Sequence, residues 1–308
     1  MMWHLLPLLA GCVETHLGDP DADATDPVVV EERFTQAPYP SLDVLFVMDS
    51  TGSMAAEQAG FAAAAGDFVG VLDGLGIDYQ LGVVTMDPVE VGVLRGRPWI
   101  LTPVDEDPVA GLMAALQPGT DSPPPSGGLD AAALALDPDN EANIGFRRID
   151  AALHVVFVSD GDDASGVVLG ADPVTAFTTL LAAEAVRTTH PARASAVVDD
   201  GSGACTGAPW DATPGTRYVA VATASGGAVA SICTEDFSPV VASLSDVGVE
   251  GTRVFPFQAD PVDGSVTVSV DGARQADGWA IDHAGPTLVF VTEPPLDAEI
   301  RVRYEIAS

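Results

Sequence analysis

From Leu42 onward, short apolar runs alternate with stretches of helical period. Asp43–Met48 (DVLFVM) is almost continuously apolar, as expected of a strand buried on both faces of a parallel sheet. An Ala-rich helix is predicted over 54–75, a strand over 79–85 and an edge strand over 97–101. Helices follow at 108–116 and 129–136, and Ala152–Ser159 (AALHVVFVS) gives a second strongly apolar strand. Helix 173–188, strand 193–198, helices 216–225 and 236–246, and strand 253–257 continue the alternation. Repeated β-α units predict an α/β fold, a doubly wound, mostly parallel sheet with helices on both faces.

The pattern changes near Ala259. Ser265–Val270 (SVTVSV) alternates with period two, Asp271-Gly272 is a turn signal, and 288–291 and 300–306 are strand-like with no helix between them. This predicts a small antiparallel β appendage over 259–308. Before the first buried strand, 12–38 is rich in Asp and Pro with few large apolar residues, the composition of an extended tether. The expected division is a signal segment at 1–11, the tether at 12–38, an α/β domain at 39–258 and the appendage.

Charge narrows the functional classes. The 308 residues carry 45 acidic and 12 basic side chains, a formal charge of −33, and every basic residue is Arg. Nucleic acid is excluded as a partner, because neutralising phosphates needs clustered cations. Salt adaptation or solubility accounts for such a surface as readily as cation attraction does, so only particular spacings define a site.

Leu9-Ala10-Gly11-Cys12, after a short apolar segment, resembles the lipobox of bacterial lipoproteins, although Met1–His4 lacks the usual Lys or Arg. The resemblance implies cleavage before Cys12 and lipidation of its thiol, the chain contacting a membrane only through that anchor in the cell envelope. In an exported chain, Cys205 and Cys233 remain as an even pair and are expected to form a disulfide; two buried free thiols are the alternative.

The first buried strand ends in Asp49-Ser50-Thr51-Gly52-Ser53, where a helix begins. An Asp on a strand tip and two hydroxyls on the next turn can converge in the crevice where open α/β sheets bind ligands. Few protein oxygens suffice for Mg²⁺, which keeps several waters. The motif resembles the metal-ion-dependent adhesion site of von Willebrand factor type A domains, with signature Asp-x-Ser/Thr-x-Ser. The resemblance spans roughly 40–258 and implies a ligand set of Asp49, Thr51, Ser53, Thr120 and Asp160, with Asp121 as the neighbouring alternative to Thr120. It further implies Mg²⁺, with Mn²⁺ or Ca²⁺ as alternatives, and a partner protein whose acidic side chain completes the coordination.

The competing reading makes Asp49 and Ser53 helix caps and Asp160 a turn cap. Asp162 and Asp163 are expected to be solvated or to support the site from behind, and His154 to be a core residue. No nucleophile elbow or phosphate loop is present. The expected function is therefore a non-enzymatic, surface-tethered adhesion or protein-binding module; a metal-assisted envelope hydrolase is the alternative.

Overall fold

The computed structural model describes residues 27–306 except 88, 91, 189, 207–211, 249, 250, 252 and 284. In chain order the strands are β1 (Val28–Thr35), β2 (Ser41–Met48), β3 (Asp78–Thr85), β4 (Ala152–Val158), β5 (Ala192–Val198), β6 (Val229–Ser231), β7 (Val254–Pro256), β8 (Thr267–Val270), β9 (Ala273–Gln275), β10 (Trp279–Asp282), β11 (Thr287–Phe290) and β12 (Glu299–Ile306). The α-helices are α1 (Ala55–Ala63), α2 (Ala65–Gly74), α3 (Pro108–Ala115), α4 (Gly128–Ala135), α5 (Pro173–Thr188), α6 (Thr216–Ser225) and α7 (Ser238–Gly248). The chain divides into a continuous unit, Tyr39–Val249, and a second unit assembled from the segments on either side of it.

The continuous unit is built on a parallel five-stranded sheet of order β3-β2-β4-β5-β6. The apolar run in β2 is explained by its two covered faces. Val44, Phe46 and Met48 point into a core with Phe61, Phe68, Leu112 and Leu244, from α1, α2, α3 and α7. Leu45 and Val47 point the other way, into a core with Leu129, Phe177, Leu181 and Tyr218, from α4, α5 and α6. Alternating side chains thus serve opposite layers, and a polar residue on either parity would lie in a core. The exception is Asp43, fully buried in β2, which accepts bonds from Arg147 Nη1 at 3.0 Å, Arg148 Nε at 2.7 Å and Arg148 N at 2.7 Å.

The helix expected over 54–75 is two helices, α1 and α2, meeting at Ala64, whose N–H turns back to the Phe61 carbonyl at 3.1 Å. The surrounding Ala run marks no break, because it is compatible with either conformation. The edge strand expected at 97–101 is reduced to two isolated antiparallel bridges, Leu81–Leu101 and Val83–Arg95. Pro98 lies between them and has no N–H to give a ladder. The short strand β6 was not anticipated. His154 is buried in β4 and bonded to Ser195 Oγ at 2.7 Å, as a core residue should be. Cys205 and Cys233 are joined by a disulfide.

The second unit holds two antiparallel sheets, β1-β12-β8-β9 and β10-β11-β7, around Phe255, Val268, Leu288, Phe290, Ile300, Val302 and Tyr304. Here 28–35, read from sequence as the end of a tether, is β1, paired with β12 along all eight residues. Its acidic look is deceptive: Glu32 is buried, accepting from the Tyr304 hydroxyl and from Gln258 N at 3.0 Å, while Val30 and Phe34 pack on the core. β7 likewise pairs with β11 here, so 253–257 belongs to the second unit and not to the α/β domain that its sequence pattern predicts. No helix among the described residues is long and apolar enough to cross a membrane.

Candidate functional site

β2 is followed in sequence by β3 on one side of it, and β4 then returns to its other side. Strand order therefore reverses between β2 and β4, and the crevice beyond their carboxyl ends is where α/β sheets of this order bind ligands. Asp49 follows β2 directly, and Ser159-Asp160 follow β4. The Asp49 N–H donates to the Val158 carbonyl at 2.9 Å, holding the two tips in register.

Asp49 is almost completely buried, and its carboxylate is fixed by three donors. Oδ1 accepts from Thr51 N at 2.8 Å and Ser126 Oγ at 3.1 Å, and Oδ2 accepts from Ser159 Oγ at 2.6 Å. The turn this imposes leaves Thr51 Oγ1 and Ser53 Oγ 3.5 Å apart, longer than a good hydroxyl-hydroxyl bond. Neither Asp49 nor Ser53 caps α1: Met54 occupies the N-cap position, with no side-chain bond to the helix N-terminus. Burial pushes the Asp160 carboxyl above its ordinary range; Ser53 opposes that rise, while Asp49 and Glu57 add to it by repulsion. The result is a cluster of hard oxygen donors with unbalanced negative charge, a donor set suited to Mg²⁺, Mn²⁺ or Ca²⁺.

The loop after α3 closes the crevice. Gln58 Nε2 donates to the carbonyls of Asp49 at 2.8 Å and Gly119 at 2.9 Å, fastening that loop to the first strand tip. Ser122 N donates to the Ser50 carbonyl at 3.0 Å, and the two serine hydroxyls lie 2.6 Å apart. The Thr120 carbonyl lies 3.9 Å from where a Cβ on Gly52 would stand, so Thr120 borders the turn carrying Thr51 and Ser53. Asp121 is exposed.

No family model matches the chain. Nor does any curated protein match by sequence. Among solved structures, it is similar to a von Willebrand factor type A protein from Catenulispora acidiphila at 14% identity and TM-score 0.46, covering 91% of this chain and 61% of that one. A pilus adhesin from Lactobacillus rhamnosus GG gives 11% identity and TM-score 0.43, covering 94% and 43%. Proximal thread matrix protein 1 from the mussel byssus, with a zinc-occupied MIDAS motif, gives 15% identity and TM-score 0.41, covering 70% and 48%. The chain thus spans less than two thirds of the length of each.

Sequence reasoning missed Ser126, Ser159 and Gln58, which orient Asp49 and its loop. Ser159 was visible as the residue between the apolar β4 run and Asp160; Ser126 and Gln58 carry no local signal. Asp162 and Asp163 are anchors of neighbouring helices. Asp162 accepts from Thr216 Oγ1 at 2.6 Å and Arg217 N at 2.9 Å at the start of α6. Asp163 accepts from Leu129 N at 3.1 Å at the start of α4 and from Ser165 Oγ at 2.7 Å. Among the described residues, no group of three or more His, Cys, Asp or Glu side chains is placed to hold a metal, so any cation here depends on hydroxyl donors. Cys12 lies outside the described residues.

Proposed function

We propose that the 39–249 unit is a von Willebrand factor type A-like binding module that holds a divalent cation at Asp49, Thr51, Ser53, Thr120 and Asp160, and takes an acidic side chain of a partner protein. The observation that carries this reading is the convergence of oxygen donors at the point where strand order reverses, with Thr51 and Ser53 free of helix capping. A bound divalent cation supplies a Lewis-acidic position for a carboxylate and offsets the charges of Asp49 and Asp160. This chain's part is positional. Ser126 and Ser159 fix the Asp49 carboxylate, and Gln58 holds the Gly119–Ser122 loop against it. The role is adhesive rather than enzymatic, at the cell envelope, with the lipobox-like Cys12 as the anchor.

The test is thermal unfolding with millimolar Mg²⁺ or with EDTA at matched ionic strength, since salt alone screens a −33 surface. A cation at about a hundred times its Kd stabilises by about 2.7 kcal/mol, a rise of roughly 5–11 °C for a domain of this size. Asp49→Ala and Ser53→Ala should each abolish most of the rise, and Thr120→Ala should reduce it more than Asp121→Ala. A full rise retained in Asp49→Ala overturns the proposed site.

A further inference from the structure

Beside the Asp49 crevice lies a cavity of about 250 Å³ whose apolar walls include Met86, Pro125, Ala131, Ala164, Val167 and Val168. It adjoins the crevice through two serines. Ser126, between Pro125 and Gly127 of the cavity wall, donates its hydroxyl to Asp49, and its carbonyl accepts from Ala164 N at 2.8 Å. Ser122, bonded to Ser50 in the crevice, donates to Asp87 Oδ2 in the wall at 2.9 Å.

The two carboxylates in the wall are already committed. Asp130 accepts four backbone N–H groups, from Gly166, Val167, Val168 and Leu169, at 2.8–3.2 Å. Burial raises its pKa but those four bonds outweigh it, holding the carboxyl below its usual range. Asp87 accepts from Val89 N at 2.8 Å as well as from Ser122. A polar occupant would therefore gain little, and an anionic one would be repelled. At about 250 Å³ the cavity lies just below the roughly 300–1,000 Å³ of small-molecule sites and has room for a bulky apolar side chain. At its mouth Val167 is 97% exposed and Val168 46%, apolar positions on an otherwise acidic surface.

We infer that this cavity receives a large aliphatic or aromatic side chain from the same protein segment whose carboxylate is taken at the Asp49 crevice. The inference rests on the binding role proposed above and adds its selectivity: the partner presents an acidic residue with an apolar neighbour, the cation orienting the segment and the cavity choosing among acidic segments. Anchors seated in preformed pockets carry most of the binding free energy in protein interfaces.

The experiment uses the full chain and an array of immobilised pentapeptides with a central Glu, whose flanking positions are filled in turn by Gly, Ser, Lys, Leu or Phe, probed with Mg²⁺ or EDTA. Leu- and Phe-flanked peptides should bind roughly tenfold or more tighter than Gly-flanked ones in Mg²⁺. Ala164→Trp fills the cavity from an exposed wall position; it should remove that preference while leaving the Mg²⁺ melting rise intact. Val167→Asp should act likewise from the rim. Equal Mg²⁺-dependent binding of all Glu peptides, or no binding of any despite a normal melting rise, overturns the cavity assignment and leaves the cation site standing. Apolar selection that survives EDTA and Asp49→Ala but not Ala164→Trp supports the cavity and overturns the cation reading.

Discussion

The Ser159 hydroxyl donates to Oδ2 of Asp49 at 2.6 Å, a bond between the tips of adjacent parallel strands whose residues are 110 positions apart in sequence. It converts a flexible carboxylate into a fixed one before any ligand arrives. Because the acceptor is charged and buried, the bond belongs to the stronger class of hydrogen bonds.

Ser159→Ala should therefore cost about 1.5–3 kcal/mol in stability, read by urea unfolding in EDTA. It should also weaken the Mg²⁺-dependent melting rise without abolishing it, since Asp49 keeps its bonds from Thr51 and Ser126. A variant with unchanged EDTA stability shows that the carboxylate is not oriented through this hydroxyl.

At the opposite end of the sheet, Asp43 has no exposed side-chain surface and is shared by Arg147 and Arg148; Arg147 also pairs with Glu184 at 3.0 Å and Arg148 with Asp78 at 2.9 Å. Asp43→Ala leaves two partly buried guanidinium groups without their shared acceptor, a loss of about 3–5 kcal/mol. Denaturant unfolding should show this, whereas Glu31→Ala, on an exposed pair with Arg33, should change stability by less than about 1 kcal/mol.

His154 supplies a pH signature. Burial, reinforced by the charge of Arg193, lowers its pKa from 6.5 to about 3. The unfolded chain thus takes up a proton that the folded chain refuses. The stabilising contribution is complete above about pH 6.5 and declines as pH falls, by about 1.4 kcal/mol per unit, until the folded-state value is reached. His154→Gln should flatten the acid limb of a stability-pH profile between pH 6.5 and 4 relative to wild type. Identical limbs in the two proteins exclude His154 as its source.

Cys12→Ser in a bacterial host should leave an uncleaved product that no longer partitions into detergent, while the unaltered chain does. The unaltered chain recovered in the aqueous phase with Met1 intact removes the anchor from the proposed function.

The parallel sheet was legible because burial on two faces forces near-continuous apolar runs, as in β2 and β4. The first strand-tip loop was legible for a related reason: Asp49, Thr51 and Ser53 lie within five residues at the end of such a run. What local pattern does not encode is convergence from a distance. Ser126 reaches Asp49 across 77 residues, and Arg148 reaches Asp43 across 105. β1 was obscured because a strand with one solvated edge and buried Glu32 has the composition of an acidic linker until its partner is known.

The pairing of β1 with β12 sets an order of events during synthesis. Val28 meets Ile306, so β1 waits until β12 has been made, roughly 15–55 s later at about 5–20 residues per second. The 39–249 unit is continuous in sequence and can complete its own core in that interval. Until β12 emerges, Val28-Val29-Val30 is an unsatisfied strand edge, open to pairing with another nascent copy. Glu31 and Glu32, within the strand itself, place repelling charges at that vulnerable edge.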